Sequence, residues 1–385
     1  MVRRRNIIIL GSTGTIGINT LKVIERYPSL FNVVGLSAYD NIDLIEEQIN
    51  RFKPRYAAVN PRKRLSLKSR LNGTLCKILD VENDAEELVS NKDVDLVVIG
   101  MRGSVALKPF LAAVRKGKTV APANKEALVI AGDIIMSEAK KYGARIIPID
   151  SEQSAIFQCL DGRNRSELKK IYLTASGGAL WNVPRSRFNR LTVKQILKHP
   201  RWKMGKKITV DSATLMNKGF EVIEAKHLFS LNVNQIEVVI HPEAIIHSMA
   251  EFKDGSIMAQ LGITDMRLPI QYALTYPQRL DSGLEGMNFF ELKQLRFQKP
   301  DFIKFPSLAL AMEAARKGGT LPAVLNASDE IAVDAFLSGK IGFTAIYKIV
   351  EKAARGHKIV KNPALNDVLA ADKWARQEAL KEINR

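Results

Sequence analysis

Short apolar segments and amphipathic helical segments alternate through the first 150 residues, and few architectures accept that pattern. Residues 7–10, 33–38, 56–59, 96–99, 119–121 and 146–149 read as strands. Between them, 16–27, 42–52, a basic stretch beginning at Arg62, 105–115 and a segment ending near Tyr142 read as helices. Strands that are apolar along their whole length need cover on both faces, and a helix between each pair returns the chain to make the next strand parallel. The pattern predicts an α/β, Rossmann-like doubly wound parallel sheet over residues 1–150.

After Asp150 the alternation breaks. Segments 170–175, 237–240, 247–252 and 256–261 read as strands without a compact helix between every pair, which predicts an α+β domain with one mixed or antiparallel sheet over 151–277. A turn-rich, aromatic linker follows over 278–306, and helical periodicity at 308–317, 323–337, 345–354 and 371–383 predicts a small C-terminal helical domain over 307–385.

At 385 residues, with 46% hydrophobic and 25% charged residues, the chain has enough apolar material for two or three such cores, and disordered and fibrous classes drop out. It holds no apolar run of about 18 residues and no signal-peptide core, so no membrane association is expected. Its two cysteines, Cys76 and Cys159, lack CxxC spacing, so neither a disulfide framework nor a zinc site is indicated and a reducing cytoplasm is the expected location. The net charge is +18, and the densest basic stretch, Arg62-Lys63-Arg64 through Lys68 and Arg70, has no interleaved aromatics and reads as a solvated face. No nucleic-acid-binding motif accompanies it, so nucleic acid is not an expected partner, although such a charge would attract phosphorylated ligands.

Several places carry chemistry. Gly11-Ser12-Thr13-Gly14-Thr15-Ile16-Gly17 lies between a strand and a helix, where glycines let the backbone turn sharply and approach a pyrophosphate at the helix N-terminus. Asp40, about where the second strand ends, could accept from an adenosine ribose 2′-hydroxyl and would repel a 2′-phosphate. Asn124-Lys125-Glu126 follows the strand at 119–121, at the sheet edge where ligands of this fold collect.

Asp150 and Glu152, two positions apart, together with Glu221 supply hard oxygen ligands for magnesium or manganese. Trp202 and Met204 in the 199–205 stretch have no evident core partner and suit a mobile lid. Ser212, Asn217 and Lys218 bring hydroxyl, amide and ammonium donors of the kind a phosphate requires, and Ser176 before Gly177-Gly178 adds another hydroxyl in a backbone nest.

The blocks GSTGTIG, ANKEALV, PIDSEQSAIFQCL, TASGG, HPRWKMGKKITVDSATLMNKGFEVIEA and HPEAIIHSMAEFKDGSIMAQLGITDMRLPIQYALTYP, in this order, closely resemble the 1-deoxy-D-xylulose 5-phosphate reductoisomerase family. The resemblance spans residues 5 to about 375. It implies an enzyme that rearranges 1-deoxy-D-xylulose 5-phosphate and reduces it with NADPH to 2-C-methyl-D-erythritol 4-phosphate, using a divalent metal (manganese, magnesium or cobalt). A homodimer is the family expectation.

Carried onto matching positions, the resemblance implies that Gly11, Thr13, Gly14, Thr15, Ile16, Asn41, Asn124, Glu126 and Gly205 contact the cofactor. Asp150, Glu152 and Glu221 would hold the metal. Lys125, Ser151, Glu152, Ser176, His199, Trp202, Ser212, Asn217, Lys218 and Glu221 would contact the substrate, with Lys125 and the three carboxylates as the catalytic set. Residues 199–205 would be the lid.

Some positions depart from the family. Relatives often carry a cation in the second position of the triplet that is Tyr39-Asp40-Asn41 here, and Arg102 stands as a candidate replacement for it. Ala179-Leu180-Trp181 replaces the usual Pro-Phe-Arg, and Gln153 replaces a common histidine. The competing reading is another nicotinamide-dependent dehydrogenase of a phosphorylated aldehyde, which would need Cys159 as a thiolate nucleophile.

Overall fold

A computed structural model describes residues 3–71, 73–198 and 204–385. The chain divides into two compact units, one formed by 1–127, 135–154 and 265–284, the other by 128–134, 155–264 and 285–385.

The first unit holds a sheet of seven strands: β1 (Arg5–Leu10), β2 (Phe31–Ser37), β3 (Tyr56–Val59), β4 (Lys77–Asp80), β5 (Leu96–Ile99), β6 (Thr119–Pro122) and β7 (Arg145–Ile146), in the order β4-β3-β2-β1-β5-β6-β7. Every neighbouring pair is parallel. Ile7, Ile8, Ile9 and Leu10 are fully buried, as a central strand with helices on both faces requires. The sheet reverses direction of growth at β1, which places the carboxyl ends of β1 and β5 at the switch point where ligands bind in such folds.

The 150 and 277 boundaries read from the sequence need correction: the first unit runs to 154 and takes back 265–284. Charge and backbone tie this return segment down, with Arg5 donating to Leu274 O at 2.9 Å and Tyr276 O at 3.1 Å and Arg26 paired with Asp281. Helix Arg267–Thr275 lies against helix Thr15–Arg26.

The second unit carries a four-stranded mixed sheet of β8 (Leu168–Ala175), β9 (Ile236–Ile240), β10 (Ile246–Phe252) and β11 (Ile257–Leu261), ordered β11-β10-β8-β9. Strands β8 and β9 are parallel, whereas β10 runs antiparallel to both β8 and β11. Helices Pro306–Lys317, Leu321–Leu337, Phe343–Gly356 and Leu365–Ile383 form its C-terminal part, as their periodicity predicts. Val324, Ala327, Ala353, Ala371 and Ala375, with Trp374 against them, form one core there, where small side chains let the helices approach.

Candidate functional site

In the first unit, two glycines of the turn after β1 answer a steric demand. Gly11 has φ +83°, and a Cβ there would come 2.8 Å from the Gly100 carbonyl at the end of β5. A Cβ on Gly17 would sit 2.3 Å from Ser12 Cα, so only glycine lets helix Thr15–Arg26 close on the turn. Ser12 is locked from below, its hydroxyl donating to Gln48 Oε1 at 2.7 Å and its amide to Ser37 O at 2.7 Å. Gly14 caps the helix without a side chain and its first turn has no acidic residue, so the free amides and positive helix end face any anion brought to the turn.

Past β2, Asn41 caps helix Ile42–Phe52, its Oδ1 accepting from Leu44 N at 3.1 Å, which leaves its amide N–H groups as donors. Asp40 beside it is exposed. At the end of β6, Asn124 is 4% exposed and both ends of its amide are engaged: Nδ2 donates to Met101 O at 2.6 Å and Gly103 O at 3.2 Å, and Oδ1 accepts from Ala127 N at 3.0 Å. It braces the loop after β5 against helix Glu126–Tyr142, so its side chain serves this loop more than it offers a free donor.

Lys125, next along, is buried with its ammonium 2.7 Å from Asp150 Oδ2. The chain reaches Asp150 alongside β6, with Ile147 N donating to Val120 O and Ile149 N to Pro122 O at 2.9 and 3.0 Å. There it turns into helix Ser151–Leu160, where the Ser151 hydroxyl donates to Glu152 Oε2 at 2.5 Å.

In the second unit, β8 runs into Ser176-Gly177-Gly178, whose glycines have φ +85° and +68°. A Cβ on Gly178 would lie 2.4 Å from Ser212 O, so this turn seats the helix Lys206–Thr214 that carries Ser212. Between that helix and the next, Met216–Phe229, a single buried residue, Leu215, sits at φ +59°. A branched side chain in the left-handed region is strained, and such strain persists where surrounding structure fixes it, often at functional sites.

The turn delivers Asn217, Lys218 and Glu221 in quick succession. In helix Met216–Phe229 all but Asn217 and Lys226 are buried, including Lys218 at 3% and Glu221 at 1% exposure. Charged groups are almost never buried this deeply unless paired or functional. Glu221 is paired: its Oε1 accepts from Asn217 Nδ2 at 2.6 Å and its Oε2 from the Lys218 ammonium. A further buried cluster went unread in the sequence, with Lys207 Nζ 2.6 Å from Asp211 Oδ2 and 2.9 Å from Asp329 Oδ2. The i,i+4 spacing of Lys207 and Asp211 was its one visible signal.

His199 and Trp202 lie outside the described residues, as do all positions of the expected lid except Met204 and Gly205. Gly205 precedes helix Lys206–Thr214, its carbonyl accepting from both Thr209 N and Thr209 Oγ1.

The whole chain has close relatives. A protein of Pelotomaculum thermopropionicum described as 1-deoxy-D-xylulose 5-phosphate reductoisomerase is 49% identical over 381 residues, 98% of each chain. One of Halothermothrix orenii with the same description is 48% identical over 99% of each. The chain belongs to the 1-deoxy-D-xylulose 5-phosphate reductoisomerase family. Three models of the reductoisomerase match along it: the reductoisomerase itself at 7–132, its C-terminal domain at 146–229, and a DXP reductoisomerase C-terminal domain at 261–378.

Solved reductoisomerase structures agree in fold. One, described as a complex with NADPH, fosmidomycin and magnesium, superposes with a TM-score of 0.95 at 39% identity, covering 99% of this chain and 98% of that one. The Zymomonas mobilis reductoisomerase in complex with NADPH gives 0.93 at 40% identity over 99% of each. Among the described residues, no helix is long and apolar enough to cross a membrane.

Proposed function

We infer that the chain converts 1-deoxy-D-xylulose 5-phosphate to 2-C-methyl-D-erythritol 4-phosphate with NADPH and a divalent metal. The observation that carries this is identity of 46–49% to relatives of that description over almost the full chain. When bound, the nicotinamide supplies a hydride and the divalent ion polarises the substrate's ketone oxygen.

This chain's own residues fit both groups. The glycine turn at Gly11, Gly14 and Gly17, with Thr13, Thr15 and Ile16 opening the helix, would seat the cofactor pyrophosphate where backbone N–H groups converge. Asn41, Asn124, Glu126 and Gly205 would meet the rest of the cofactor, Asn124 while holding the loop after β5. Asp150, Glu152 and Glu221 would supply an all-oxygen donor set, the chemistry suited to a hard divalent ion such as magnesium or manganese. Lys125 would orient the substrate's oxygens, and Ser176, Ser212, Asn217 and Lys218 would hold its phosphate, with Ser151 as a further polar contact. His199 and Trp202 take substrate-contacting roles by resemblance alone.

The thiolate-dependent dehydrogenase reading is disfavoured. Cys159 is 7% exposed, and burial pushes the Cys76 thiol up to about 11. A homodimer in the cytoplasm completes the reading. Neither cysteine is in a disulfide, as a reducing compartment would leave them. Strand β11 is an edge strand on which Ile257 and Met258 are exposed, and open apolar edges are commonly covered by a partner.

The test is loss of NADPH absorbance with 1-deoxy-D-xylulose 5-phosphate and manganese or magnesium, repeated after chelation and with NADH. No turnover in the presence of metal would overturn the assignment, and light scattering of the purified chain would decide its oligomeric state.

A further inference from the structure

The basic stretch after β3 is only partly a solvated face. Arg64 turns back to donate to Ile78 O at 3.1 Å, and Arg70 pairs with Asp43 and Glu46. The Arg62 guanidinium has no partner among the described residues. Its backbone, by contrast, is fixed. Asn60, 9% exposed, accepts from Arg62 N at 3.1 Å and starts the short turn Pro61–Lys63.

That turn lies beside the end of β2. Ser37 registers with Ala58, Ala38 N donates to Ala58 O at 3.0 Å, and Asn60 N to Tyr39 O at 3.3 Å. In dinucleotide-binding sheets the adenosine ribose lies at the end of the second strand, and an arginine nearby accommodates a 2′-phosphate where one is present. Here the residues at that place are unfavourable to a phosphate: Asp40 is an exposed carboxylate, and Glu82 accepts from the Tyr39 hydroxyl at 2.7 Å. Arg62 lies close enough to that hydroxyl to offset in part the upward pull of Glu82 on its pKa.

Arg102 is less well placed. It follows β5, on the far side of β1 from β2, about two strand spacings or roughly 10 Å away. Asn124 binds the carbonyls on either side of it.

We propose that Arg62, on the loop after β3, is the specificity-determining cation that receives the 2′-phosphate of NADPH, taking the role lost at Asp40. This rests on the nicotinamide-binding reading above. A guanidinium can grip a phosphate with two parallel N–H groups, and charge-assisted hydrogen bonds of this kind offset one nearby carboxylate.

Calorimetric titration of the full chain with 2′,5′-ADP, 5′-ADP, NADPH and NADH tests it without turnover. The parent should bind 2′,5′-ADP and NADPH more tightly than their counterparts without the 2′-phosphate. Arg62→Ala should weaken both by about ten- to a hundredfold, with no comparable change for 5′-ADP or NADH, and Arg62→Lys should restore part of the loss. Equal losses in both series, no loss, or a selective loss in Arg102→Ala instead would overturn the proposal while leaving the cofactor reading intact. A parent chain that binds none of the four would overturn the cofactor reading itself, and the proposal with it.

Discussion

Lys125 holds its ammonium 2.7 Å from Asp150 Oδ2, with only 6% and 14% of the two side chains exposed. Breaking such a pair leaves an uncompensated charge out of water, at a cost of about 3–5 kcal/mol. A divalent ion on Asp150 would supply the missing positive charge. Lys125→Ala is therefore expected to lower the melting temperature without magnesium and to recover more of it on adding magnesium than the parent gains. Equal gains in both proteins would remove Asp150 from the proposed metal set. Turnover in Lys125→Ala and in Asp150→Asn should fall by orders of magnitude, with NADPH binding retained.

Glu221 is 1% exposed and accepts hydrogen bonds from Asn217 and Lys218. Glu221→Gln keeps the volume and one acceptor but removes the charge that would bind a cation. Turnover should fall by orders of magnitude, with circular dichroism and NADPH affinity unchanged. Parental turnover at saturating metal would take Glu221 out of the metal set.

Lys218→Ala removes a proposed phosphate contact made in ground and transition states alike, so KM should rise more than kcat falls. A fall in kcat with KM unchanged would place Lys218 at the reacting carbons instead. Lys218→Arg should recover part of the affinity.

Both thiols are poor nucleophiles where they stand, Cys159 buried in helix Ser151–Leu160 and Cys76 held largely protonated by burial. Iodoacetamide near neutral pH is expected to leave turnover unchanged, because the thiolate is the reacting form. Stoichiometric alkylation of Cys159 with loss of turnover would revive the thiolate-dependent alternative.

What the sequence made legible followed from local physics. Strands β1, β2, β3, β5 and β6 could be read because a parallel strand covered on both faces is apolar throughout. The edge strand β4, with Lys77 exposed and Asp80 half-buried at its ends, left no such run. Gly11 and Gly17 could be read because a turn onto a helix N-terminus leaves no room for their side chains. The return of 265–284 to the first unit could not be read, since Arg5 and Arg26 reach partners about 250 residues away, largely through backbone carbonyls that carry no side-chain signature. Asp329 joins Lys207 and Asp211 from 122 positions beyond Lys207, and no periodicity links them. The charge between Arg62 and Arg70 was visible, but which of its cations were already occupied was not.

The C-terminal helices hold a half-buried histidine that should make their stability depend on pH. The His357 Nε2 is 2.7 Å from Thr320 Oγ1, and that same oxygen accepts from Val360 N at 3.0 Å. With Oγ1 already accepting one N–H, the threonine hydroxyl is best placed to donate to a neutral imidazole. A protonated ring would set two donors against one another. Burial accordingly lowers the His357 pKa from its ordinary 6.5. The unfolded chain then binds the proton more readily than the folded one. The stabilising contribution is full above about pH 6.5 and is lost as pH falls from there through the lower folded value, at no more than about 1.4 kcal/mol per pH unit. Carboxylates held below their ordinary 4.5, such as Glu313 and Glu351, add their losses only at more acidic pH. Melting temperatures of the parent and His357→Gln between pH 7.5 and pH 5 separate the contribution, since glutamine can accept from Thr320 but does not titrate. The parent should lose stability toward pH 5 more steeply than the variant, and parallel curves would show that His357 titrates alike in the folded and unfolded chain.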